Sequence, residues 1–146
     1  MILFTNDSQS LYPDNTIVAF AVMLPWPIEL GPNDNLELGL CEISYPPNQV
    51  DTLKSVKVIG DTTALVCSDP ISPQYVGKSL GRCLRPFIYP TVYGEHVYDY
   101  IYLPVGKHTI KNIRIEILQL TGKPVEFTCS KTPTKIVLHF RRVSAW

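Results

Sequence analysis

The sequence predicts an all-β fold, and three observations support that prediction. Apolar and polar residues alternate with a period of two in several runs, which is typical of strands with one face on a core and one in water. Thirteen prolines and eight glycines interrupt these runs at short, fairly even intervals. The runs do not alternate with helical patterns, and this arrangement indicates an antiparallel sandwich or barrel.

Four runs show the clearest alternation. The first, residues 16–24, is an uncharged β-branched and aromatic run with turn chemistry on both sides, including Pro25-Trp26-Pro27 after it. The second, third and fourth are residues 35–45, 112–120 and 134–143. The residues predicted to face the core are Val18, Phe20, Val22 and Leu24; Leu36, Leu38 and Leu40; Ile113, Ile115 and Ile117; and Ile136, Leu138 and Phe140.

Weaker alternation predicts further strands, which brings the number to eight with a short ninth. These weaker runs are residues 53–59, 62–68, 83–89, 97–103 and, for the ninth strand, 125–129. Turn signals separate them at residues 59–62, 89–95, 103–108 and 120–124.

Residues 72–84 are ambiguous. Ser72 is a suitable N-cap and Pro73 fits the first helical position, followed by apolar residues at helical spacing. Gly77 and Gly81 oppose a helix, so at most one short helix is expected there.

About eight strands in two antiparallel sheets, packed face to face, fit a single jelly roll. An immunoglobulin-like sandwich is disfavoured because the sequence lacks the Cys…Trp…Cys pattern. The length of 146 residues predicts one domain, residues 1–146.

Composition restricts the classes of function. The formal net charge is zero and no basic stripe is present, which argues against direct binding of nucleic acid. No apolar run of 18 residues predicts a membrane span, and the first residues lack the pattern of a secretory signal, so we expect synthesis in the cytosol. Only 18% of residues are charged, against about 25% in an average domain. This shortfall fits either a large core or a surface covered by neighbouring subunits.

No catalytic, cofactor or metal constellation stands out, and the protein is expected not to be an enzyme. The three histidines are isolated, and the four cysteines lie singly in strand-like runs, where buried free thiols are expected and disulfides are the alternative. The segment 76–79, Val-Gly-Lys-Ser, lacks the glycine-rich loop of a phosphate site. A hydrolase that pairs Cys83 or another thiol with His96 or His139 is the least favoured hypothesis.

An aromatic cluster offers candidate binding residues. Tyr98, Tyr100 and Tyr102 are predicted to share one strand face, as a stripe that forms a subunit interface or binds a carbohydrate or receptor. The C-terminal residues Arg141, Arg142 and Trp146 are candidates for docking on an adjoining subunit, a loose tail being the alternative.

Several short motifs follow one another along the chain. Their residues are Tyr12, Pro13, Asn15, Leu24, Pro25, Pro27, Ile28 and Leu30, then Gly39, Leu40, Glu42, Ile43, Tyr45 and Pro46, then Val76 and Gly77, and the segments 102–105, 121–127 and 137–142. In this order they resemble the motifs of the minor capsid protein family of Polintons (Mavericks) and adintoviruses. The chain departs from the family pattern at residues 33–37 and 46–51, where the family often has tryptophan.

The resemblance implies a penton protein: a single jelly roll that forms homopentamers at the vertices of an icosahedral capsid, beside a double-jelly-roll major capsid protein. It implies a location in the virion capsid after synthesis in the host cytoplasm, with assembly in the nucleus as an open alternative. A carbohydrate- or receptor-binding sandwich that uses the tyrosine stripe is the alternative function.

Overall fold

The computed structural model describes residues 1–44, 62–76, 79–89, 95–97, 101–125 and 133–143. Within these ranges the chain forms strands and turns, without a helix. The strands are β1 (Ile2–Phe4), β2 (Ala19–Glu29), β3 (Asn35–Ser44), β4 (Thr62–Ser68), β5 (Gln74–Val76), β6 (Ser79–Gly81), β7 (Cys83–Tyr89), β8 (Glu95–Val97), β9 (Tyr102–Pro104), β10 (Thr109–Gln119) and β11 (Lys135–Val143).

The strand order is that of a single jelly roll. One sheet has the order β1-β11-β3, with β8 and β9 both paired to the far side of β3, and the other has the order β2-β10-β4-β7. If β8 and β9 are counted as one interrupted strand and the separate β5–β6 hairpin is left aside, eight strands remain. Counted along the chain, strand one is paired with strand eight, strand two with seven, three with six and four with five, and every pair is antiparallel. This nested pairing confirms the predicted jelly roll of two antiparallel sheets.

The core lies between the two sheets and includes the side chains that the alternation assigned to it, except that Val18 and Phe140 are only partly buried against it. Ile113, Ile115 and Ile117 are fully buried on β10, while Arg114 on the same strand is exposed. Leu38 on β3 and Leu138 on β11 face them from the other sheet as part of the same cluster. The period-two pattern therefore identified the buried face of β2, β3, β10 and β11.

Residues 72–84, where at most one short helix was expected, contain no helix in their described part and form the β5–β6 hairpin, in which Tyr75 lies opposite Leu80. A glycine in a helix interior costs about 1 kcal/mol relative to alanine, and the hairpin avoids that cost. The Gln74 side chain also donates a hydrogen bond to the Cys83 carbonyl, which fixes the hairpin to the start of β7.

The remaining strand predictions have mixed outcomes. Strands 62–68 and 83–89 are confirmed as β4 and β7. The predicted strand 97–103 is replaced by β8 and β9, with residues 98–100 outside the described ranges. The strand predicted at 53–59 lies outside them entirely, and of 125–129 only the buried Val125 is described.

Strand β2 continues through the prolines at which the sequence suggested a turn. Its partner β10 pairs Asn112 with Met23 and Ile110 with Ile28, so residues 24–27 lie opposite the single residue Lys111. The extra residues form a large, irregular bulge. Because β2 is an edge strand, its prolines do not interrupt hydrogen bonds on both sides.

Candidate interaction surfaces

The free edge of β2 is covered by side chains from the segment that precedes it. The Ala21 N–H donates to Asn15 Oδ1 and Asn15 Nδ2 donates to the Ala21 carbonyl, each at 2.9 Å. The Met23 N–H donates to Ser8 Oγ at 2.9 Å, and the Ala19 N–H donates to Thr16 Oγ1 at 3.1 Å. These side chains form hydrogen bonds with the backbone groups to which an added strand would otherwise bind.

Prolines complete the protection of this edge. Pro25 and Pro27, further along β2, have no N–H to offer to another strand. The chain therefore blocks strand addition at β2 by two means, side-chain caps over Ala19, Ala21 and Met23 and prolines after them. Protection of this edge accounts for the turn residues and prolines that stand on both sides of the uncharged strand.

The bulge presents Trp26 to solvent. Its side chain is 82% exposed, the most exposed of the large apolar residues in the described part of the chain. Pro25 and Pro27 on either side each have φ fixed near −65°, which limits the backbone freedom of the bulge. An exposed tryptophan on a stiff support is the kind of residue that dominates binding energy at protein interfaces. Trp26 was not among the site residues predicted from the sequence, although an aromatic residue between two prolines is a visible signal.

Other exposed apolar side chains lie on the same flank of the sandwich, which we define as the β1–β2 flank. They are Ile2 and Phe4 on β1, Leu11 in the segment between the strands, and Met23 and Trp26 on β2. Asn15 joins the two edges, because its Nδ2 contacts both the Thr5 carbonyl next to β1 and the Ala21 carbonyl on β2. The β1–β2 flank therefore carries five large exposed apolar side chains.

Two of the predicted interface residues meet on the outer face of the five-stranded sheet. The guanidinium of Arg141 lies 3.7 Å from the ring centre of Tyr102, and its Nη2 is 2.7 Å from Glu37 Oε2. The Tyr102 hydroxyl and His139 Nδ1 form a hydrogen bond of 2.5 Å. The sequence placed these residues on strand faces but did not predict that they contact one another.

Gly39 makes this cluster possible. It lies between Tyr102 on β9 and His139 on β11, directly opposite both. A Cβ at this position would lie 3.2 Å from Cδ1 of Tyr102 and 3.0 Å from the Ile101 carbonyl oxygen. A strand glycine often marks such a close approach, and here it lets the tyrosine ring cross the strand to reach β11.

The other predicted interface residues are separate from this cluster or outside the described ranges. Arg142 is exposed near the end of β11, opposite Leu36, and strand alternation places it on the other side of β11 from Arg141. Tyr98, Tyr100 and Trp146 lie outside the described residues. The tyrosine stripe is thus described only at Tyr102.

Two of the described cysteines are neighbours. Cys67 on β4 and Cys83 on β7 lie directly opposite each other, and both thiols are free, as is that of the half-buried Cys41. A hydrogen bond to Cys83, together with burial, raises the pKa of Cys67. The same hydrogen bond lowers the pKa of Cys83. Burial acts in the opposite direction, and a hydrogen bond from the Arg85 backbone lowers the pKa further. The histidines with described side chains are His108 and His139. Both are exposed, and neither is a strand partner of Cys67 or Cys83.

The surface of the described residues includes two open cavities. One, of about 370 Å³, is lined by polar side chains of the segment before β2, including Gln9 and Asn15. The other, of about 250 Å³, lies on the outer face of the four-stranded sheet and is lined by Cys67, Arg82, Arg114 and Glu116 among others. Arg114 and Glu116 form an ion pair of 2.8 Å beside it.

The described residues include no group of three or more histidine, cysteine or carboxylate side chains positioned to hold a metal ion. They also contain no helix long and apolar enough to cross a lipid bilayer. No protein-family model, no curated protein sequence and no solved structure matches the chain.

Proposed function

We propose that the chain is a structural minor capsid (penton) protein that assembles into homopentamers at the vertices of an icosahedral virus-like capsid. In this proposal it has no catalytic activity. Its partners are further copies of itself and a double-jelly-roll major capsid protein, and its place is the virion capsid. The fold and the motif resemblance both support this assignment, since single jelly rolls are common among capsid proteins.

A fold alone does not determine function, which depends on the residues that the surface presents. The single observation that carries the proposal is Trp26, held almost fully exposed between Pro25 and Pro27. Leaving such a side chain in water forgoes the free energy of burying it, and a rigid support lowers the entropic cost of burial against a partner. We take that partner to be a second copy of the chain.

The edges of the sandwich favour a closed ring over an open fibre. The caps on β2 prevent copies from adding as strands along that edge, so the contact must be made by side chains.

A ring with five-fold symmetry needs two different, complementary surfaces on each protomer. We propose that the β1–β2 flank of one protomer packs against the opposite flank of the next, where β7, β8 and β9 lie at the other edges of the two sheets. Ile101 beside β9 is also exposed on that side.

Native mass spectrometry of Trp26→Ser tests the proposal. The wild-type chain, alone or mixed with a double-jelly-roll major capsid protein, should give a species of five times the 16.5 kDa chain mass. Loss of an interface tryptophan costs about 2 kcal/mol or more, a weakening of about 30-fold at each contact. The variant should therefore shift towards monomer.

Leu120→Ser is the matched control. Leu120 is 66% exposed in the turn after β10, whereas the bulge lies opposite the start of β10, at the other end of the same strand. This variant should assemble like the wild type. A wild-type monomer at high micromolar concentration, even with the major capsid protein present, would contradict the proposal.

The carbohydrate- or receptor-binding alternative receives no specific support from the described residues. In the cluster around Tyr102, the hydroxyl is engaged with His139 and Arg141 stacks on the ring. A sugar platform needs an open aromatic face, and one face of this ring is already covered.

A further inference from the structure

The geometry of Cys67 and Cys83 points to a second property of the chain, independent of its state of assembly. The two residues are Cα partners across the β4–β7 pair, at a bulge where the register shifts after Val66. The Ser68 N–H donates to the Arg82 carbonyl at 2.9 Å, one position beyond the pair on each strand. This bond identifies Cys67–Cys83 as a non-hydrogen-bonded pair of the antiparallel ladder.

Non-hydrogen-bonded pairs have the closest side chains of an antiparallel ladder, with Cα atoms about 4.5 Å apart. A disulfide requires Cα atoms about 4.4–6.8 Å apart, with Cβ atoms directed towards each other. Alternation along β4 directs Cys67 to the outer face of its sheet, where its neighbour on β10 is Glu116. The proximity of the two side chains also agrees with the pKa of each cysteine, which is shifted chiefly by the other. The pair therefore needs little backbone movement to become bridged.

We propose that Cys67 and Cys83 form a cross-strand disulfide when the folded protein meets a peroxide oxidant, and remain thiols in a reducing compartment. The bridge joins β4 to β7, the edge strand of the four-stranded sheet, and encloses the β5–β6 hairpin between them. It would hold that edge in place once the protein leaves the reducing cytosol.

The chemistry follows from the surroundings of each thiol. Cys83, whose pKa is lowered, supplies the thiolate that attacks one oxygen of hydrogen peroxide. The O–O bond breaks, a sulfenic acid forms on Cys83, and the departing hydroxide takes up the proton that Cys83 released. The Cys67 sulfur then attacks the Cys83 sulfur, the S–O bond breaks, and the second hydroxide leaves as water with the Cys67 proton. In total, two thiols and one peroxide give one disulfide and two water molecules.

Access for the oxidant is provided from the side of Cys67. Cys83 itself is only 5% exposed, but the cavity of about 250 Å³ on the outer face of the sheet is lined by Cys67. Hydrogen peroxide is close to water in size and fits such a space. A bulky oxidant such as a small-molecule disulfide is expected to react much more slowly, since it must reach the buried sulfur.

Peptide mapping under non-reducing conditions tests the proposal. The folded protein is treated with hydrogen peroxide, its remaining thiols are blocked, and the digest is analysed by mass spectrometry. We expect a linked peptide that contains Cys67 and Cys83, a loss of two hydrogen atoms from the intact mass, and reversal by dithiothreitol. The melting temperature of the oxidised protein should rise by about 5 °C or more, because the bridge closes a loop of the unfolded chain.

Cys67→Ser and Cys83→Ser should each abolish the mass loss and the rise in melting temperature. Cys41→Ser is the matched control, since Cys41 lies on β3 in the other sheet, and it should oxidise like the wild type. If Cys67 and Cys83 both remain alkylatable after oxidation of the folded wild-type protein, or if the linked peptides contain Cys41 or Cys129 instead, the proposal is wrong. This result is read on the wild-type chain, so it stands even if a serine variant fails to fold.

Discussion

Replacing Asn15 with alanine should open the edge of β2 and lower the free energy of unfolding by about 2–3 kcal/mol. The estimate follows from three hydrogen bonds: Ala21 N–H to Oδ1, and Nδ2 to the carbonyls of Ala21 and Thr5. A typical intramolecular hydrogen bond contributes about 1 kcal/mol net. Ala21 is itself buried, so water does not fully replace its lost partners.

The change is measured by urea and thermal unfolding, with variant and wild type at one protein concentration because assembly also adds stability. For a chain of this length, 1 kcal/mol corresponds to about 3 °C, so the melting temperature should fall by about 6–9 °C. Hydrogen exchange at the Ala21 amide should also become faster, since its acceptor is removed.

Asn33→Ala provides the control, because Asn33 is exposed in the turn between β2 and β3. This variant should stay within about 0.5 kcal/mol of the wild type. If Asn15→Ala is no less stable than Asn33→Ala and the Ala21 amide exchanges at the wild-type rate, Asn15 does not cap the strand and the reasoning about the edge is refuted.

Two further variants test the packing of the sandwich by chemical denaturation. Gly39→Ala should destabilise by about 1–3 kcal/mol, because its Cβ would crowd the ring of Tyr102 at 3.2 Å and the Ile101 carbonyl oxygen at 3.0 Å; an unchanged midpoint would show that the ring does not need the glycine. Ile115→Ala should cost about 2–5 kcal/mol, because Ile115 is fully buried at the centre of β10; a loss below 1 kcal/mol would contradict its place in the core.

The sequence pattern was sufficient to predict most of the sandwich. Period-two alternation identified the buried faces of β2, β3, β10 and β11, since one face of each strand must be apolar to form the core. It missed β1, whose three residues are too few to show a period, and it left residues 72–84 ambiguous, where β5 and β6 form a hairpin. The bulge in β2 was also missed, because the prolines read as the end of a strand and not as an irregularity within it.

The candidate surfaces were less accessible to sequence reasoning. Tyr102 and Arg141 were identified singly, but their contact depends on the register that places both beside Gly39. The neighbouring positions of Cys67 and Cys83 likewise depend on the bulge between β4 and β7. Register is fixed by the whole sheet and not by either strand alone, so such cross-strand pairs become visible only once the fold is known.

Electron microscopy of the purified wild-type protein, mixed with a double-jelly-roll major capsid protein, is the sharpest test of the proposal that this jelly roll forms rings in a capsid. We expect rings with five-fold symmetry in which the β1–β2 flank and Trp26 lie at the contacts between protomers. Monomers, or rings that leave Trp26 exposed, would contradict it.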